Sequence, residues 1–193
     1  MKYDDLLSFC YLTHLDNLES ILENGILSRD MCHALRISPS DISDGRVQSR
    51  RHEFHGCVPL FFADNTPMLW VVMKKLGDKI ALLEVDKAVL RTPGAMFSDG
   101  NLASCVTNLY ENEAALANLD WHIIYNRRGA YSPEWKRVRS AEVLVPDEVG
   151  PEHILAIHVA SPAARRVALV AALKLEISVD IEHDLRQCGI ADA

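Results

Sequence analysis

No stretch of the 193-residue sequence stays apolar for long. The longest such runs, residues 58–63 and 68–73, fall far short of the roughly 20 residues that cross a bilayer, and no charged-then-apolar leader opens the chain. The expectation is a cytoplasmic protein with no membrane segment. Cysteine is sparse, at positions 10, 32, 57, 105 and 188, without a CxxC pair; an odd number in a sizeable chain excludes a disulfide framework and favours reduced thiols. Nine glycines never fall into GxGxxG, and GxxxxGK[ST] is missing, so neither a Rossmann fingerprint nor a P-loop is available for a nucleotide. Repeats, low-complexity tracts and Pro/Gly/Ser linkers are also lacking, and residues 1–193 read as one domain. Basic side chains are outnumbered, 20 against 27 acidic, for a net charge of −7. A polyanion would find no general attraction here and would have to be met by a local basic patch.

What the chain does have is 49% hydrophobic and 24% charged content, the balance of a domain that buries a real core. Short strand-like and helix-like segments alternate, so mixed α and β is the expected class. Residues 9–13 are β-prone. Asp16 and Glu19 then stand three apart as a capping-box variant opening a helix with Leu18, Ile21 and Leu22 on one face, which Gly25 ends. Residues 36–56 are polar and irregular, and residues 58–62 form an apolar strand. Thr66 caps a second helix with Pro67 at its first position, Leu69, Val72, Met73 and Leu76 as the buried stripe, and Gly77 as its end. Residues 80–85 read as a strand, 86–90 as a helical turn, 92–104 as a loop and 111–119 as a helix. Two further strands, 141–145 and 154–159, flank a turn, and a helix with Val167, Val170, Ala171 and Leu173 on its apolar side runs from about 162 to 176.

Three places could carry chemistry. Glu142 stands inside the apolar strand AEVLV at 141–145; it is either an edge-strand charge or partner of Arg139, or a rigidly held general base or cation stabiliser. Gln48, Arg50 and Arg51 are either a solvated surface or a phosphate grip, since guanidinium forks hold phosphates without any glycine loop. Tyr11, Leu12, Thr13 and His14, with Asn17, mark a strand end meeting a helix start; His14 and Asn17 are either satisfied structural polar groups or part of a site. Between residues 121 and 139, Arg127, Arg128, Lys136, Arg137 and Arg139 face the single Glu134, five basic groups against one acidic and a local balance of +4. Trp121, Tyr125, Tyr131 and Trp135 in the same stretch are candidates for base stacking, Trp121 being better read as a core anchor. His52, His55 and Cys57 cluster within six residues, but no second ligand pair completes a zinc set, so no metal is expected.

In order and approximate spacing these segments resemble the DarT family of bacterial DNA ADP-ribosyltransferase toxins from about residue 9 to 159. The resemblance is carried by THLDNLESILENG at 13–25, QSRR at 48–51, VPLFF at 58–62, TPML at 66–69, SDGN at 98–101, LDW at 119–121 and RSAEVLVP at 139–146. It implies an α+β fold, an ADP-ribosyltransferase-like split and mostly antiparallel β core with peripheral helices, binding NAD as substrate in a cleft between the two parts. It further implies transfer of ADP-ribose to a base of single-stranded DNA, with Glu142 as catalytic glutamate and Arg51 as an NAD-contacting arginine with a catalytic role. Tyr11, Leu12, Thr13, His14, Asn17 and Met68 would join Arg51 around NAD, and Arg50, Arg127, Arg128, Lys136, Arg137 and Arg139 would meet the DNA. The implied partner is a macrodomain antitoxin of the DarG type, within a toxin-antitoxin pair. The alternatives are a transferase acting on RNA or protein, or a non-catalytic NAD or nucleic-acid binding module. Two departures stand out: Tyr11 replaces the family's usual histidine two residues before Thr13, and Arg51 lies only seven residues before Val58.

Overall fold

The structure is a computed structural model describing residues 1–42, 52–126 and 132–184. Ten strands are found among them: β1 (Ser8–His14), β2 (Ile26–Leu27), β3 (Cys57–Phe61), β4 (Ile80–Asp86), β5 (Met96–Ser98), β6 (Leu109–Tyr110), β7 (Glu142–Pro146), β8 (Glu148–Val149), β9 (Ile154–Val159) and β10 (Asp180–Glu182). Eight make one sheet in the order β10-β9-β4-β1-β3-β7-β5-β6, antiparallel throughout except for the parallel pair β10-β9, and β2 and β8 form a separate two-stranded ribbon. This is the α+β, mostly antiparallel class that the sequence suggests.

The sheet is split near its middle. All seven residues of β1 are in register with β4, from Ser8 opposite Asp86 to His14 opposite Ile80, and all five of β3 are in register with β7. Between β1 and β3 the ladder is reduced to one pair, Cys10 opposite Phe61. Two well-paired halves therefore meet at a point, and the backbone groups of residues 11–14 on the side toward β3 are released from strand pairing.

Both faces of the sheet are covered, which is why β7 is buried at four of its five positions rather than alternating. The larger core lies on one face and collects Phe9, Leu60, Phe62, Leu83, Phe97 and Val143, with rings meeting edge to face at Phe9–Phe62 and Phe62–Phe97. The smaller lies on the other face, where Cys10, Leu12, Phe61 and Leu82 pack against Leu69 and Val72.

Local chemistry accounts for the helices. Helix α1 (Leu18–Asn24) ends at Gly25, whose φ of +82° and close approach to the Val149 carbonyl leave no room for a side chain. Its entry departs from the capping-box reading: a short 3-10 turn, Leu15–Asn17, comes first and is capped by the His14 ring, while Asn17 makes no cap bond. Helix α2 (Arg29–Ala34) is capped by Ser28. Helix α3 (Pro67–Leu76) follows its sequence signals throughout, with Thr66 Oγ1 accepting from the Leu69 N–H at 3.3 Å, Pro67 at the first position and Gly77 at the end. Helices α4 (Trp121–Tyr125) and α5 (Pro133–Arg139) lead toward β7, and residues 113–118 are 3-10 rather than α.

Helix α6 (Pro162–Lys174) keeps Ala171 on its buried side as expected but turns the other three expected residues outward. Ala164, Ala168, Ala171 and Ala172 are buried, while Val167, Val170 and Leu173 are exposed. The small alanines let the helix axis sit close to its neighbours α1, β9 and β10, and that close approach outweighs the larger apolar side chains on the other side. Among the described residues no helix is long and apolar enough to cross a membrane.

Candidate active site

Glu142 opens β7 beside the split. Its strand partner is Phe61, whose own partner on β1 is Cys10, so the three share one row across the sheet and point to the face of the smaller core. The edge-strand reading of Glu142 does not hold, because β7 lies between β3 and β5 and the residue is 1% exposed. A carboxylate so placed is held by its main chain: the Glu142 N–H donates to Ser98 Oγ at 3.0 Å, and that hydroxyl donates to the Gly100 carbonyl at 2.7 Å.

The SDGN segment supplies this lock and a second one. Asp99 accepts from the Asn108 side chain at 2.7 Å and from Arg137 Nη1 at 3.0 Å, and the Asn101 N–H donates to the Arg137 carbonyl at 2.9 Å. Gly100 lies so close to the Arg137 side chain that a Cβ there would collide with it. Burial pushes the Asp99 carboxyl up, but the hydrogen bonds from Asn108 and Arg137 outweigh it and hold the group below its usual range. Residues 98–101 thus fix both the helix that precedes Glu142 and the strand that begins with it.

Of the basic residues expected to meet DNA, Arg139 and Arg137 are engaged within the fold. Arg139 is 2% exposed, and its guanidinium donates to the carbonyls of Asn65 at 2.6 Å, Ile123 and Ile124 at 3.1 Å each, and Asn126. Three of these carbonyls terminate α4, where a cation also complements the helix dipole. Arg137 is engaged by Asp99 and Glu134. Of the three described cations, Lys136 alone is exposed. Arg127 and Arg128 lie outside the described residues, as do Gln48, Arg50 and Arg51.

The other flank of the split is the end of β1. Thr13 is buried, and its Oγ1 accepts from Asn17 Nδ2 at 3.0 Å. The same amide donates to the Ser40 carbonyl at 3.0 Å and accepts from the Ser40 N–H at 2.8 Å, pinning residues 40–42 to the strand end. Tyr11 shares the Thr13 side of β1, and burial, with Cys32 and Asp41 close by, pushes its hydroxyl up to about 12. Strand alternation sends Leu12 and His14 to the opposite side, where Leu12 joins the smaller core and Met68 packs against it. The six described residues of the seven expected around a dinucleotide therefore divide between two faces.

Sequence reasoning assigned no site role to Ser98, although its motif was visible, and the aromatic residues sort as follows. Trp135 is 7% exposed, and Trp121 donates its indole N–H to the Leu116 carbonyl at 2.7 Å while packing edge-on to Phe62. Tyr125 stacks on Trp121 at 5.7 Å yet is 40% exposed, and burial of its hydroxyl, with Cys10 and Asp64 near, pushes that group up to about 12. Of the three described aromatic candidates, it is Tyr125 that offers a ring to solvent.

Residues 10–185 match the family model described as "ssDNA thymidine ADP-ribosyltransferase, DarT". A DNA ADP-ribosyl transferase-DNA ADP-ribosyl glycohydrolase fusion protein of Thermosipho africanus is 31% identical over 162 residues, which are 77% of this chain and 41% of that protein. The chain thus spans about two fifths of that relative's length. A DNA ADP-ribosyl transferase of Thermus sp. is 25% identical over 70% of this chain and 72% of its own. Among solved structures, Thermus sp. 2.9 DarT in complex with ADP-ribosylated ssDNA superposes with a TM-score of 0.81 at 23% identity, covering 94% of this chain and 96% of that one. The same Thermus protein in complex with NAD+ gives 0.76 at 21% identity over 92% and 95% of the two chains, a likeness of fold.

Proposed function

Because the chain belongs to the DarT family, we propose that it is an NAD-dependent transferase that moves ADP-ribose from NAD to thymidine in single-stranded DNA. The observation that carries this reading is the buried Glu142 at the split of the sheet, locked by Ser98 and facing the side opened beyond Cys10. Breaking the nicotinamide–ribose bond leaves positive charge on the sugar, and a carboxylate already desolvated and immobile stabilises that charge without reorganising. Glu142 does this and aligns and deprotonates the attacking ring nitrogen; Arg51 clamps phosphate oxygens or assists that proton transfer. Leu12, His14 and Met68, on the face that Glu142 shares, border the dinucleotide on the β1 flank, and Tyr11, Thr13 and Asn17 support that strand end from the other face.

A ring nitrogen that pairs in a duplex is hidden, so the acceptor base must be unpaired before attack. Lys136, Arg50, Arg127 and Arg128 draw in the phosphates, Tyr125 stacks a base, and Arg137 and Arg139 shape the loop instead. Residues 1–193 act as a single cytoplasmic transferase domain. A DarG-type ADP-ribosyl glycohydrolase that removes the modification is its partner in a toxin-antitoxin pair, a reading supported by the fused Thermosipho relative.

The test is incubation of the purified chain with NAD and single-stranded DNA, RNA and protein, followed by mass spectrometry. One ADP-ribose added to thymidine-containing DNA supports the reading. Modification confined to RNA or protein, or NAD binding without product, overturns it.

A further inference from the structure

At the far end of the sheet from Glu142, strands β4, β9 and β10 gather an imidazole and three carboxylates. The parallel pairing sets Glu182 of β10 opposite His158 of β9, and Asp184 follows two residues later. His158 Nδ1 lies 2.8 Å from Asp184 Oδ1, and Nε2 lies 3.6 Å from Glu84 Oε2 on β4. One ligand atom each from His158, Glu182 and Asp184 falls within 4.8 Å of the others. The imidazole is largely covered, at 15% exposure, while Asp184 is at 31%.

No described lysine or arginine pairs with Glu84, Glu182 or Asp184. Arg165, the cation of α6 nearest this corner in the fold, spends its Nε–H on the Ile181 carbonyl at 2.9 Å. Three carboxylates converging without a strong base, on a chain of net charge −7, call for a positive charge from elsewhere. A proton on His158 or a bound cation can supply it. The arrangement around the ring favours the cation: Nδ1 faces the Asp184 carboxylate, with a Glu182 oxygen within reach of the same group, while Nε2 faces the Glu84 carboxylate behind it, the pattern by which metal-binding histidines are oriented.

We propose that His158, Glu182 and Asp184 form a divalent transition-metal site, with the Glu84 carboxylate standing 3.6 Å from the second ring nitrogen of His158. One imidazole and two carboxylates without sulfur suit Zn2+ or Mn2+ better than Mg2+ or Ca2+, which take all-oxygen shells. The site takes no part in ADP-ribose transfer. It fastens β10, a three-residue edge strand, across β9 to β4.

The test uses the untagged full chain, stripped with EDTA and dialysed, with ZnCl2 or MnCl2 titrated by calorimetry and MgCl2 as contrast. The expected result is one saturable site for Zn2+ and Mn2+, weakened about tenfold or more in Glu182→Gln and in Asp184→Asn. Bound Mn2+ should show nitrogen coupling in its pulsed EPR spectrum, lost in His158→Gln, and Zn2+ should raise the melting temperature of the wild type but not of Asp184→Asn. Glu182 is exposed, so its variant tests the site even if His158→Gln fails to fold. No saturable Zn2+ or Mn2+ binding below about 1 mM, where such sites are already filled, or binding unchanged in both carboxylate variants, overturns the proposal. So does a melting temperature that follows protonation near neutral pH but ignores metal, the signature of a charged His158 acting as an ion-pair hub.

Discussion

The two halves of the split sheet are held together by different chemistry. On the β1-β4-β9 side, β1 and β4 pair in full register, β4 and β9 pair with one irregularity between Glu84 and Val85, and Leu83, Val85, Ile157 and Val159 are buried in the apolar core. On the β3-β7-β5 side, strands of three to five residues are tied by Ser98, Asp99, Arg137 and Arg139. Apolar packing tolerates substitution by side chains of similar shape, whereas a hydroxyl or guanidinium sets position through directional bonds. The half that carries Glu142 is the half built from directional bonds, which suits the role proposed for its carboxylate.

Breaking the polar half at its centre should cost the most. Arg139→Ala removes a buried cation and strands carbonyls from two segments, and a loss of about 3 kcal/mol in urea denaturation is expected. Arg139→Lys, which keeps the charge but loses the planar fork, should recover only part of it. Ser98→Ala leaves the buried Glu142 N–H without its acceptor; about 1 to 3 kcal/mol of stability and a reduced kcat at unchanged KM for NAD are expected from denaturation and steady-state kinetics.

Asn17→Ala probes the other flank. It frees Ser40 from the strand end at about 1 kcal/mol, and it should raise KM for NAD more than it lowers kcat. The smallest effect belongs to Asp99. Its carboxyl is held below the usual range in the folded chain, so its contribution is present above the unfolded carboxylate pKa and is lost as pH falls through the lower, folded one. Wild type should therefore exceed Asp99→Asn in stability by a constant margin above about pH 4, and the margin should close in more acidic solution. A margin independent of pH down to acid would mean that the Asp99 charge is not what ties residue 137.

The contrast also explains what could be read from the chain. Helix α3 was legible because Thr66, Pro67 and Gly77 act on their own neighbourhood. The strand around Glu142 was legible because a carboxylate within AEVLV breaks an apolar pattern. The roles of Arg137 and Arg139 were not legible, since a count of charges cannot see that the acceptors are carbonyls of residues 65 and 123–126 or the side chain of Asp99. For α6, side-chain hydrophobicity pointed Val167, Val170 and Leu173 inward, but close helix packing selected the alanine face. Of the motifs that carry the family resemblance, those at 58–62 and 139–146 supply the paired strands β3 and β7, and that at 98–101 fixes the start of β7.

The most direct measurement is single-turnover transfer by Glu142→Gln, with enzyme in excess over single-stranded DNA and NAD saturating, followed by mass spectrometry beside a denaturation curve of the same preparation. A neutral amide of equal size should leave the folding transition in place and slow transfer by about 100- to 1000-fold, the scale of losing one preorganised charge-stabilising group. Transfer within a few-fold of wild type, from a protein folded as well as wild type, would place the chemistry on some other residue.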